Sequence, residues 1–155
     1  MILLTMATAC TGGGGGSTAP PNPLPALDPG LVGRGRQVYI TNCAICHGQS
    51  AEGASNWQKP DSLGNMPPPP HDDAGHTWRH RDQQLREVVL DGLRDPFNKT
   101  PDLTMPPFRG KLSDEEIEAV IIYFKSLWSE EHRRYQLNKT QKAEQGTGAD
   151  AGRPR

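Results

Sequence analysis

The chain has 155 residues, with 34% hydrophobic and 23% charged side chains, 17 Gly, 15 Pro and a formal net charge of -1. That length suits one domain with tails to spare, and the Gly and Pro surplus leaves part of the chain outside any core. Near-neutral charge makes nucleic acid a poor partner, no apolar run reaches the roughly 18 residues of a membrane-spanning helix, and an odd count of Cys (3) satisfies no disulfide framework.

Residues 1–10 are mostly apolar and end in Ala7-Thr8-Ala9-Cys10. Small residues before a Cys resemble the cleavage box of a bacterial lipoprotein signal, which makes Cys10 the candidate lipidation site. The box lacks a preceding Lys or Arg, and Ala7 stands where Leu is usual. Either the true start lies upstream of Met1 or the likeness is accidental; lipidation is the expectation carried forward. Residues 11–30 contain the glycine run Gly12 to Gly16 and then Pro20, Pro21, Pro23, Pro25 and Pro29, a flexible and then extended tether.

Residues 31–130 read as the globular domain. A short helix is predicted over Gly33 to Asn42, with Val32, Tyr39 and Ile40 apolar. Asn56 to His76 is loop, with four prolines in a row at Pro67 to Pro70. Asp82 to Leu93 reads as a helix capped by Asp82, with Leu85, Val88 and Val89 on one face and Gly92 near its end. Asp95 to Gly110 is loop, broken by Pro96, Pro101, Pro106 and Pro107. The clearest helix begins at Ser113, where Ser113 and Glu116 form a capping box. Ile117, Val120, Ile121, Phe124, Leu127 and Trp128 then recur at helical spacing. The periodicity fades after Trp128, leaving 131–155 as a polar extension, largely disordered at its end. With no strand alternation in the domain, the expected fold class is all-α: a loop-rich bundle of short helices.

Cys43-Ala44-Ile45-Cys46-His47 carries the chemistry. Two thiols three positions apart with a His directly after match the attachment sequence for a c-type haem. The sulfurs add to the two vinyl groups, and the adjacent imidazole of His47 coordinates iron. A zinc site is the rival, since His76 and His80 are four apart, but the Pro- and Gly-filled stretch from Cys46 to His76 is longer than a finger loop. A redox dithiol would require an α/β pattern that is absent here. Met105, in Thr104-Met105-Pro106-Pro107-Phe108, is the candidate second iron ligand: a soft thioether that raises the reduction potential, on a backbone stiffened by two prolines. Met66, His71, His76 and His80 are its rivals.

Gly35-Arg36-Gln37-Val38-Tyr39-Ile40-Thr41-Asn42-Cys43-Ala44-Ile45-Cys46-His47-Gly48 resembles the first helix and haem attachment of class I cytochromes c, and Leu112 to Trp128 resembles their last helix. The resemblance implies a bundle around one covalently attached haem c, with the first and last helices crossing where Gly35, Tyr39 and Tyr123 match the family's contact. It implies Trp78 and Arg79 as hydrogen-bond donors to a haem propionate, with a packing Trp and a surface Arg as the plainer reading. It also implies a Pro carbonyl bound to the proximal imidazole, with Pro60 and Pro67 to Pro70 all open.

The function so implied is single-electron transfer with both axial positions of the iron filled, not enzyme catalysis. The location is extracytoplasmic, in the periplasm or on the outer face of a bacterial membrane, with the surface reached through a lipid on Cys10. The expected partners are a redox donor and acceptor. A haem subunit of an oxidase or reductase complex is the alternative, and a zinc-binding module a more distant one.

Overall fold

The computed structural model describes residues 23–150; Cys10, the leader and most of the tether lie outside the described residues. Helix α1 spans Pro29–Asn42 and starts four residues before the predicted Gly33. Asp28 caps it by accepting from Leu31 N–H, and Pro29 occupies the first turn, where its missing N–H costs nothing. The cap Asp28 and the first helical residues, Pro29 and Gly30, therefore come from the segment assigned to the tether. A single turn, α2 (Ala44–His47), follows directly. After a long loop and a 3-10 turn at Thr77–Arg79, α3 spans Asp82–Asp91. Asp82 is its first residue, not its cap, which is Arg81; Gly92 ends it at φ 73°, a left-handed conformation that favours glycine.

Helix α4 spans Asp114–Ser126, opened by the predicted capping box: Ser113 Oγ accepts from Glu116 N–H at 3.2 Å, and Glu116 accepts from Ser113 N–H at 2.9 Å. Among the described residues the only β pairing is in isolated bridges, and the domain is all-α as expected.

The core sits where α1 crosses α4, the most extensive contact between helices. Val38 and Tyr39 of α1 meet Ile117, Val120, Ile121, Tyr123 and Phe124 of α4, with Leu85 and Val89 of α3 at the side. Gly35 makes the close approach possible: a Cβ there would overlap the Ala119 carbonyl and lie 2.8 Å from Tyr123 Cβ. Tyr39 and Tyr123 pack beside it with ring centroids 5.3 Å apart, and the Tyr39 hydroxyl donates to Gly48 O at 2.6 Å.

Residues 131–150 of the polar extension lie in helix α5, Glu130–Asp150, which the weak apolar periodicity did not predict; the end of the extension, expected to be disordered, lies outside the described residues. The helix is held by aromatic and polar contacts with residues 73–82. His132 stacks on Trp78 at 3.7 Å and bonds Asp73 through Nδ1. Ser129 N–H donates to the same carboxylate, and Gln136 donates to Asp82 Oδ1 and His80 O. No helix among the described residues is long and apolar enough to cross a membrane.

Candidate functional site

The turn α2 holds the candidate attachment residues at the end of α1. Cys43 N–H still bonds Tyr39 O, and His47 N–H bonds Cys43 O, so the segment is rigidly continuous with the core helix. Cys43 is half-buried and Cys46 exposed, both as free thiols. Burial first, then the neighbouring Cys46, pushes the Cys43 thiol up to about 11, so it stays protonated at neutral pH.

His47 is buried, and its Nδ1 lies 2.9 Å from the Pro69 carbonyl. A carbonyl only accepts, so the proton resides on Nδ1, and Nε2 keeps its lone pair for a metal. Burial holds the His47 pKa below the ordinary imidazole value, with Pro69 partly opposing it. The ring is thus neutral and in the tautomer a metal requires.

The proline run explains why the contact falls on Pro69. Prolines carry acceptors without donors, and three successive carbonyls are used on three partners: Pro68 O by Ala54 N–H, Pro69 O by His47 Nδ1, and Pro70 O by the Thr77 hydroxyl. The loop after the attachment turn docks on this run at Gly53 (φ 62°), where a Cβ would overlap Pro70 N.

Sequence reasoning weighed His71 only as a rival distal ligand. Its ring lies 4.2 Å from that of His47. Two imidazoles on opposite sides of one metal keep their centres roughly 6 Å apart, since each nitrogen sits about 2 Å from the metal. His71 is therefore a neighbour of His47, not its counterpart across an iron. Burial, then the neighbouring imidazoles of His47 and His76, lowers its pKa well below the usual value.

Met105 is half-buried against the core, and its backbone pairs both ways with Leu93 at 2.9 and 3.0 Å. Gly92 lies directly against it, with a Cβ there overlapping Met105 O. Met66 sits on the adjoining loop, its N–H donating to Asp95 Oδ2 at 2.7 Å. Asn65 and Thr104 join the two loops, and the exposed apolar side chains Leu63, Leu93, Phe97 and Leu103 lie on them.

The Trp78 indole N–H is donated to Gly75 O at 3.1 Å, and its ring lies against α5 with Arg79 above it. That arrangement matches the packing role for Trp78. His76, stacked on Trp57, has a buried Nδ1 without a hydrogen-bond partner. A carboxylate is one group that would satisfy it. His76 and His80 are neighbours, but among the described residues no three His, Cys, Asp or Glu converge as a metal site. The zinc arrangement is not assembled.

Burial, followed by the charges on His80 and Arg79, lowers the His76 pKa; burial, then Lys139, lowers that of His80. Since the unfolded chain binds protons first, stability is full above about pH 6.5 and is lost as pH falls below that value. We expect the Tm to fall between pH 7 and 5, and to fall less steeply in a His76→Gln, His80→Gln double variant. Equal slopes would contradict this.

Residues 30–124 match the family described as cytochrome C oxidase, cbb3-type, subunit III. The chain is similar to the cbb3-type cytochrome c oxidase subunit FixPc of Rhizobium leguminosarum bv. viciae, 31% identical over 103 residues, covering 64% of this chain and 29% of that protein. The cbb3-type cytochrome c oxidase subunit CcoP of Azospirillum sp. (strain B510) is 29% identical over 102 residues, 66% of this chain and 30% of the relative. The cytochrome c subunit of a quinone alcohol dehydrogenase of Gluconobacter oxydans (strain 621H) is 32% identical over 96 residues, 61% and 18% respectively. The chain thus spans about a third or less of each. No solved structure matches it.

Proposed function

The chain belongs to the cytochrome c oxidase, cbb3-type, subunit III family, and from that premise we propose a monohaem electron carrier of the class I type, with Cys43 and Cys46 as attachment residues and His47 and Met105 as axial ligands. As a cytochrome c it carries covalently attached haem c. When bound, that group supplies the reversible one-electron ferrous/ferric couple.

The chain's residues supply the rest. The free thiols at the end of α1 are spaced for attachment. The Pro69 carbonyl leaves Nε2 of His47 as the donor atom, and this hydrogen bond is the observation that carries the proposal. The Leu93 pairing and Pro106-Pro107 restrict the segment that presents the Met105 sulfur. Exposed Leu63, Leu93, Phe97 and Leu103 give the neighbouring loops an apolar surface of the kind a porphyrin covers. The Trp78 indole N–H is already donated to Gly75 O, which leaves Arg79 as the candidate donor to a propionate.

With His47 and Met105 both holding the iron, no position would be left for a substrate, and the role proposed is carriage, not catalysis. The extracytoplasmic location follows from thioether attachment, which in bacteria takes place outside the cytoplasmic membrane. Residues 1–10 serve as a lipoprotein signal ending at the lipidation residue Cys10, and 11–30 as a tether for the domain at 31–130, with 131–155 an extension. The relatives' names, subunits of cbb3-type cytochrome c oxidases, support the alternative that the domain serves as a haem subunit of an oxidase complex.

The test is a redox titration and carbon monoxide exposure of the matured protein. We expect one one-electron wave, no spectral change of the ferrous form with carbon monoxide, and oxidation by membranes containing a haem–copper oxidase. Carbon monoxide binding by the unaltered protein would contradict the closed-iron reading.

A further inference from the structure

His71 is buried in the core, and electron carriage as described gives it no task. Its ring lies 4.2 Å from His47 with planes 31° apart, and 4.3 Å from Phe124 with planes 27° apart. Two rings this close to a third, one stacked and one tilted over it, cannot share one face of it, so His71 is the middle layer of three. Tyr39 closes its edge at 6.3 Å and 86°.

The residue is pinned on every side. Its N–H donates to Ala51 O and its carbonyl accepts from the Trp128 indole, both at 2.8 Å. Its Nδ1 lies 2.9 Å from Thr77 Oγ1, and this hydrogen bond holds the His71 ring in one plane. An aliphatic side chain would fill the same layer with no polar group to satisfy. What the imidazole adds is a flat face of fixed orientation.

We propose that His71 is a positioning residue for His47, setting the plane of the proximal imidazole. The hydrogen bond to Pro69 fixes one point of the His47 ring; the tethered face of His71 fixes its rotation about the bond from Nε2 to iron. Both supports come from one stretch, Pro69 to His71, so the proline run delivers them together. The inference rests on the reading that His47 binds the iron. Ring plane governs overlap between imidazole π-electrons and iron d orbitals, and hence how unpaired spin spreads over the porphyrin.

The test compares haem-methyl proton resonances of the ferric wild type, His71→Leu and Ile117→Ala. Ile117 is a buried core control seven residues before Phe124, about 10 Å along α4. We expect His71→Leu to change the spacing and order of the methyl resonances while the control lowers the Tm without moving them. An unchanged pattern in His71→Leu, or equal changes in both variants, would overturn the proposal. If His71→Leu fails to mature, Thr77→Val decides on the same readout: a moved pattern supports the proposal and an unmoved one overturns it. A wild type lacking a low-spin haem spectrum would instead remove the reading of His47, which separates the two failures.

Discussion

Met105→Ala is expected to abolish the sulfur–iron charge-transfer band of the ferric protein and to lower its reduction potential. The shift expected is on the order of 0.1 V or more, within the roughly 0.8 V that axial ligands span. A thioether favours the ferrous form, and alanine leaves the sixth position open to water or carbon monoxide. Two features favour Met105 over Met66. Its backbone is paired in both directions with Leu93, and the two prolines after it limit how far its loop strays. Met66 is tied only by its N–H to Asp95 and stands 19 residues after His47, against 58 for Met105. Met66→Ala is therefore expected to leave both the band and the potential in place. Loss of the band in Met66→Ala, with Met105→Ala unaffected, would reverse the assignment.

Gly35→Ala carries the largest expected loss of stability. The added Cβ would meet the Ala119 carbonyl, which is helix backbone and cannot rotate away, as well as Tyr123 Cβ. The overlap forces α1 and α4 apart along the interface that buries Tyr39, Val120 and Tyr123. Alanine's better helix propensity returns only about 1 kcal/mol. Overpacking of this kind typically costs about 1–3 kcal/mol, and a clash against rigid helix backbone belongs at or above the upper figure. The expected reading is a Tm lower by roughly 10 °C or more, at about 4–8 °C per kcal/mol for a domain of this size. Gly33→Ala is the control, since a Cβ there meets nothing within 4 Å. Equal thermal stability of Gly35→Ala and wild type would contradict the close-packed crossing.

Local signals were the legible ones. The Ser113 capping box and the apolar spacing from Ile117 to Phe124 require only neighbours in sequence, and α4 begins where they place it. The attachment pentapeptide is likewise read from adjacent residues. What escaped depends on contacts far apart along the chain. Pro69 could not be chosen from five prolines, because the choice rests on how the Gly48–Ala54 loop docks. His71 gave no sign of its place, since a lone His after a proline run says nothing about the rings above and below it. Helix α5 was missed because aromatic and polar contacts with residues 73–82 replace the apolar stripe that periodicity detects. The start of α1 slipped by four residues because Asp28-Pro29 is both the end of a proline-rich run and a cap with a first turn.

The most direct measurement is a haemochrome spectrum of the denatured chain, after expression with haem-maturation machinery and extraction with acidified organic solvent. One haem per chain is expected to stay with the protein and to give a thioether-type spectrum, which the Cys43→Ala, Cys46→Ala double variant loses. A chain that emerges colourless, or that gives up its haem to the solvent, would contradict this.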